Sequence, residues 1–397
     1  MAKPESIGWL TKSATAALIG LIGVARPLSA QAQPDIGPAA SSAAADSAAT
    51  PTGVASALPV APTGAGLSPS GGLLASQLGL VINLDDPYSV EVGDYYRKRR
   101  QIRADHVLRL HLPVQASLTE GEFDQLVAQI SAHFGPEVQA LALAWRAPYA
   151  VQCNSITGAL ALGFDRKLCL NPCERSRHSP YFAALGRRPF SEHGIRPAML
   201  IAAPTVAQAR ALIDRGIRAD GSLGLRGAPP AKALFVTSHD AARNVRAAAY
   251  PPAGKVDGKG VEVVQMPIEQ LADQRRVLMV QVGAAQVPQA DNLGWLPGAL
   301  ADHLTSFGGE LGRQTGQMSA MAWITAGATA SYGSVSEPCN HLQKFPNPKL
   351  LLLNYLFGQT AIETYWKSVE WPQQGLFIGE PLAAPFGARA ARAASSP

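Results

Sequence analysis

Ala198-Met-Leu-Ile-Ala-Ala203 runs through Pro204 into Thr205-Val-Ala-Gln-Ala-Arg-Ala-Leu-Ile-Asp-Arg215, and this junction decides the fold. The first six residues are apolar at every position. A strand with one wet face alternates apolar with polar, so an unbroken apolar run describes a strand covered on both faces, as in a parallel sheet. The period then changes. Thr205 is a good N-cap, and Leu212 with Ile213 marks the apolar side of a helix reaching about Arg215. Strand and helix in alternation require right-handed crossovers and give an α/β fold.

The same rhythm extends outward in both directions. Further apolar runs predict strands at residues 78–83, 107–111, 138–145, 232–237, 261–264, 277–282 and 328–335. Ser117-x-x-Glu120 and Thr119-x-x-Glu122 are overlapping capping boxes. They open a helix that carries Phe123, Leu126, Val127, Ile130 and Phe134 on one face and stops at Gly135. Met318, Met321 and Ala322 share a face of a third helix ending at Gly327, and residues 360–369 make a fourth. Residues 166–195 break the pattern and read as a flap held by Cys169 and Cys173. The expected architecture is a three-layer α/β sandwich with a mostly parallel sheet. Trp145, Tyr149, Trp295, Trp323, Tyr332 and Trp366 are assigned to core and strand-end packing.

The ends of the chain read differently. Lys3 and Lys12, the apolar run Ala14 to Ala25 and the small-residue site Ala30-Gln31-Ala32 make residues 1–32 a secretory signal. Residues 33–72, rich in Ala, Ser, Pro, Gly and Thr, form a disordered linker, residues 73–386 the α/β domain and residues 387–397 a disordered tail. No later run is long enough for a membrane span, so none is expected after signal cleavage. The implied location is the periplasm or cell envelope. Of the formal net charge of +5, the signal carries +2 through Lys3, Lys12 and Arg26 against Glu5, leaving about +3. The dense run Arg97-Lys98-Arg99-Arg100 with Arg103 fits the last turn of a helix, where cations oppose the dipole, rather than a nucleic-acid face.

Four cysteines remain after the signal: Cys153, Cys169, Cys173 and Cys339. An even count in an oxidising compartment favours disulfides, with three connectivities open. Cys169-x-x-x-Cys173 would need Cys153 and a histidine such as His178 to bind zinc, so neither metal nor cofactor is expected. In a parallel sheet the loops leaving the carboxyl ends of the strands converge on one edge, where ligands bind. The polar segments there are 146–155, 238–240, 281–283 and 336–339, joined by Asp302-His303-Leu304-Thr305-Ser306. The sharpest catalytic pair is Cys339 as thiolate with His303 as base, and Gly308 and Gly309 as N–H donors to an oxyanion. Ser306 or Thr305 with His303 or His239 is a second arrangement, although no G-x-S-x-G elbow is present. Asn154, Ser155, Asp302, Thr305, Gly308, Gly309 and Glu337 are candidate binding residues.

Several passages resemble a family of exported, uncharacterised bacterial proteins found in genomes that carry exosortase, the proposed transpeptidase of a protein-sorting system. They are Asp86-Pro-Tyr-Ser-Val, Cys153-Asn-Ser-Ile-Thr157, Pro297-Gly-Ala-Leu-Ala-Asp-His-Leu-Thr-Ser-Phe-Gly-Gly309, Ala326-Gly-Ala-Thr-Ala-Ser-Tyr-Gly333, Glu337-Pro-Cys-Asn340 and Gly379-Glu-Pro-Leu382. The layout is also remotely similar to gingipain-like peptidases of caspase-type fold. In that register the His-Gly position of the family falls on Val282-Gly283, or one residue away on Gln281. The catalytic Cys position falls near Thr305 or Ser306. Neither catalytic residue type stands at its place in this chain.

Two functional classes follow. One is a non-catalytic or degenerate peptidase-like protein that binds a peptide or envelope partner, linked to exosortase-type sorting. The other is a cysteine-type hydrolase using His303 and Cys339.

Overall fold

The computed structural model describes residues 72–225, 227–312 and 316–388, all within one unit, Ala65–Pro397. The residues expected to form the secretory signal, and nearly all of those expected as linker and tail, lie outside the described residues. Among the described residues, fourteen strands and nine α-helices follow in chain order. The first half holds β1 (Leu78–Asn83), α1 (Pro87–Arg100), β2 (Val107–Leu110), β3 (Ser117–Leu118), α2 (Glu120–His133), β4 (Ala140–Leu143), β5 (Ala150–Val151), β6 (Asn154–Ser155) and α3 (Ile156–Leu162). The flap contains α4 (Lys167–Leu170) and α5 (Pro189–His193), then come β7 (Ala198–Leu200), α6 (Val206–Ala219), β8 (Ala231–Thr237), β9 (Gly254–Val256) and β10 (Val261–Pro267). The last part is β11 (Arg275–Gly283), β12 (Gly294–Leu304), α7 (Ala320–Ala326), β13 (Ala330–Ser334), α8 (Pro348–Leu356), α9 (Ala361–Trp366) and β14 (Gly375–Gly379).

The main sheet has eleven strands in the order β2-β1-β4-β7-β14-β13-β12-β11-β8-β10-β9. The pairs β1 with β2 and β4, β4 with β7, β8 with β10 and β11, and β12 with β11 and β13 are all parallel. Only β13 with β14 and β9 with β10 are clearly antiparallel ladders. β14 meets β7 through one register position, Ile378 opposite Leu200. The apolar strands sit where both faces are covered: every residue of β1, β4 and β7 is buried, including Asn83 at the polar end of β1. Helices α1 and α6 pack on each other and on β1 and β12, while α3 and α9 cover β14, completing the three layers.

Caps place the helices as their chemistry requires. Asp86 accepts from the Tyr88 N–H at α1, Thr119 and Glu122 form a reciprocal capping box at α2, and Thr205 caps α6. The basic run does end α1. Arg100 there reaches the fully buried Glu380, with Nε 2.9 Å from Oε1, and Tyr96 donates to the same oxygen at 2.8 Å. Gly379-Glu380-Pro381 thus pins α1 from the end of β14.

Six strands escape the sequence reading: the two-residue β3, β5 and β6, the edge strand β9, and two that matter for the site, β12 and β14. β12 begins at Gly294 and carries Pro297 and Gly298 inside it, with Gly298 at φ 86° and register shifts against β11. Those breakers hide the strand, so Asp302 and His303, expected in a loop, lie in β12 itself. β14 is five residues bounded by glycines and runs against β13, which no alternation of strand and helix announces.

Candidate functional site

At the end of β12, consecutive residues face opposite layers, and the two polar side chains meet different fates. Asp302 is completely buried. It pairs with Arg246 Nη1 and accepts from Gln281 Nε2 at 2.9 Å, while Arg246 Nη2 donates to the Val282 carbonyl at 3.0 Å. Burial pushes the Asp302 carboxyl up, and the Arg246 guanidinium and the Gln281 amide draw it back. This closed group orients no histidine.

His303 points into the other layer. The Trp323 indole donates to its Nδ1 at 2.9 Å and its Nε2 lies 2.8 Å from the Met318 carbonyl oxygen. A carbonyl only accepts, so Nε2 carries the proton, Nδ1 has a bare lone pair, and the ring is neutral. Burial lowers its pKa to about 4. Both nitrogens are used, which leaves none to serve as a base.

Thr305, Gly309 and His239, also expected here, are committed to structure. Arg243 Nε donates to the Thr305 hydroxyl at 3.2 Å, and its Nη1 pairs with Asp240 at 2.7 Å. Thr305 itself bonds Gln317. The chain at Arg243 lies so close over the end of β11 that a Cβ on Gly283 would sit 1.9 Å from the Arg243 carbonyl. Segment 240–249 therefore seals the edge beside Gln281, Val282 and Gly283. The Gly309 N–H bonds the Ser334 carbonyl at 2.8 Å and is not available to an oxyanion. The chain at Gly308 and Gly309 packs on Gly333, backbone to backbone: a Cβ on Gly309 would lie 2.5 Å from the Gly333 carbonyl oxygen, and one on Gly333 would lie 2.4 Å from the Gly308 carbonyl carbon. Ser306 is half-buried, and His239 is exposed and paired with Glu269 at 3.3 Å.

All four cysteines form disulfides, Cys153–Cys169 and Cys173–Cys339. This overturns the thiolate reading of Cys339: the sulfur is bonded, and no thiol remains to ionise. Cys169 and Cys173 enter different bridges, so they do not act as a metal pair, and among the described residues no group of His, Cys, Asp and Glu could hold a metal ion. Glu337 caps the turn at Cys339, accepting from its N–H at 2.8 Å. Asn154 and Ser155, expected to bind, are fully buried. Asn154 ties down Asp165 at 3.1 Å, and Ser155 caps α3 and donates to the Gly375 carbonyl at 2.6 Å. Lys344 lies beneath the second bridge with Nζ 2.6 Å from the Pro172 carbonyl, and burial lowers its pKa to about 8.

An open site does exist at the carboxyl edge, on the other side of β14. A cleft of about 380 Å³ is walled by Asp86 after β1, Val114 after β2, Arg146, Ala147 and Tyr149 after β4, and Pro204 after β7. Leu311 and Gly312 from the chain after β12, with Met321 of α7, close it. Arg146 stacks on the Tyr88 ring with its guanidinium carbon 4.5 Å from the centroid, and Nη1 donates to the Pro204 carbonyl at 2.8 Å. Sequence reasoning brought segment 146–155 to this edge but chose Asn154 and Ser155 from it. Arg146, three residues after the last position of β4, was the better signal.

No family model matches the chain, and no curated protein does. Among solved structures, the Arg-specific cysteine proteinase gingipain R is similar at 12% identity and TM-score 0.41, with 79% of each chain covered. The complex of Porphyromonas gingivalis RgpB pro- and mature domains is similar at 12% identity and TM-score 0.36, over 78% of this chain and 79% of that one. A structure described only as a protease shares 9% identity at TM-score 0.41, over 78% of both chains.

Proposed function

We propose that this chain is an exported, envelope-associated binding protein with a peptidase-like body and no peptidase chemistry, taking a peptide in the cleft between Arg146 and Met321. The observation that carries this reading is the simultaneous commitment of His303 and Cys339. Acyl transfer needs a nucleophile and a base in hydrogen-bond reach of each other. Here the sulfur is oxidised and both imidazole nitrogens are bonded elsewhere. Two disulfides support an oxidising compartment, and no helix among the described residues is long and apolar enough to cross a membrane. The resemblance to exosortase-associated proteins supports a role in that sorting system, with an envelope peptide as partner.

A mixed-sequence peptide library, incubated with the unreduced mature chain and followed by mass spectrometry, tests the reading. Retention of a peptide subset with no cleavage is the expected result. Cleavage abolished by His303→Ala, or no retained peptide at all, overturns it.

A further inference from the structure

The cleft at the carboxyl edge contains a cation for which the described residues supply no anion. The Arg146 side chain makes two contacts, the Tyr88 ring and the Pro204 carbonyl. No carboxylate of the described residues lies in ion-pair range of it, although Asp86 lines the same cleft. Other arginines divide between those paired with acids, such as Arg99 with Asp214 and Arg246 with Asp302, and those that bond only carbonyls among the described residues, such as Arg177, Arg196, Arg215 and Arg276; Arg146 belongs to the second group and lines this cleft.

Its guanidinium is also held in one plane. Tyr88, on which it stacks, cannot swing away, because its hydroxyl donates to the Ile201 carbonyl at 3.1 Å and accepts from the Ala203 N–H at 2.9 Å. Stacking plus one Nη1 bond leaves Nε and the second terminal nitrogen without a hydrogen-bond partner among the described residues. That fork matches the two oxygens of a carboxylate. Around it the walls are apolar, with Val114, Leu311 and Met321. Asp86 spends one oxygen on capping α1, and its other oxygen has no partner among the described residues. It can accept an N–H and would repel a second acid.

We propose that the cleft recognises the free C-terminus of a peptide whose last residue is apolar. Arg146 takes the α-carboxylate in a bidentate pair, Val114, Leu311 and Met321 cover the terminal side chain, and Asp86 accepts a backbone N–H. This rests on the peptide-binding reading above and names the part of the peptide that is read.

The test uses the unreduced mature chain and three probes followed by saturation-transfer NMR. They are N-acetyl-Ala-Ala-Leu with a free carboxylate, the same peptide as its C-terminal amide, and an amidated peptide with an internal glutamate beside leucine. The free acid should bind on the order of ten- to a hundredfold tighter than the amide. Arg146→Ala should erase that difference, and Arg146→Lys should recover only part of it, since lysine lacks the fork. Equal affinity for acid and amide in the wild type, or an acid preference that survives Arg146→Ala, overturns the proposal while the library result still stands for the binding reading. Preference for the internal glutamate overturns the C-terminal assignment. Failure of all three probes to bind, with the library retaining peptides, also overturns it. Tyr88→Phe removes both bonds that hold the ring and should weaken the acid preference, whereas Arg166→Ala, an exposed arginine outside the cleft paired with Glu120, serves as the folded control with the preference retained.

Discussion

The indole N–H of Trp323 donates to Nδ1 of His303 at 2.9 Å, and that bond fixes what the histidine is. A donor aimed at a ring nitrogen opposes its protonation, and the Met318 carbonyl on the far side fixes the tautomer. The sequence places this histidine beside Ser306 and two glycines in the manner of a base. Its surroundings make it a neutral bridge between β12 and α7.

Stability therefore falls as pH drops from about 6.5 to about 4. The unfolded imidazole takes up its proton near 6.5, and the folded one near 4. Between them the unfolded state holds the extra proton and is favoured, so the contribution is complete above 6.5 and lost toward 4. It amounts to at most ~3 kcal/mol. Urea unfolding in steps of pH should show this slope, and His303→Asn should flatten it. A slope that is the same in the variant would show that other groups produce the acid sensitivity.

Arg246 and Asp302 should show strong coupling. Removing one member strands a buried charge, so Asp302→Leu and Arg246→Met should each cost about 3–5 kcal/mol. Replacing both with Leu and Met should cost far less than the sum, because no charge is then left behind. A double-mutant cycle read by denaturant midpoints checks this, and additive losses would mean the two groups stabilise independently.

The end of β11 tolerates no side chain at Gly283. A Cβ there would lie 1.9 Å from the Arg243 carbonyl, and backbone yields less than a side-chain tip. Gly283→Ala should lower stability by about 1–3 kcal/mol and lift segment 240–249. Amide exchange at Arg243 and Asn244 is the direct readout. Unchanged exchange together with a native Tm would contradict the close packing.

The contrast between Asn154 and Arg146 shows how far the sequence carries. Both stand in one polar segment after β4, and the apolar run before them placed that segment at the ligand-binding edge. Composition could not say which side chains turn inward. Asn154 and Ser155 enter the protein because α3 starts there and needs its cap, while Arg146 stays at the mouth because Tyr88 offers it a face. The parallel strands were legible because their residues are apolar without alternation. β12 was not, since Pro297 and Gly298 interrupt it, and β14 was not, since its orientation follows from long-range pairing alone. The even cysteine count pointed to disulfides, but the partners depend on how the flap folds back across the sheet.

The two disulfides should differ in weight. Cys153–Cys169 joins residues 16 apart, Cys173–Cys339 residues 166 apart. A bridge stabilises chiefly by limiting the unfolded chain, and the limit tightens with the logarithm of loop length, so the longer loop is favoured by about 2 kcal/mol. Paired serine variants, Cys173→Ser with Cys339→Ser and Cys153→Ser with Cys169→Ser, should reveal that order in their urea midpoints. The long bridge also fastens the flap over Lys344, whose ammonium depends on the Pro172 carbonyl next to Cys173. Losing that bridge should let water reach Lys344 and raise its pKa from about 8 toward its ordinary value of 10.5. Reductive methylation across pH, quantified at Lys344, follows this. If the two variants lose equal stability and Lys344 keeps its depressed pKa, the flap is held by its packing on α9 and the bridge is incidental to it.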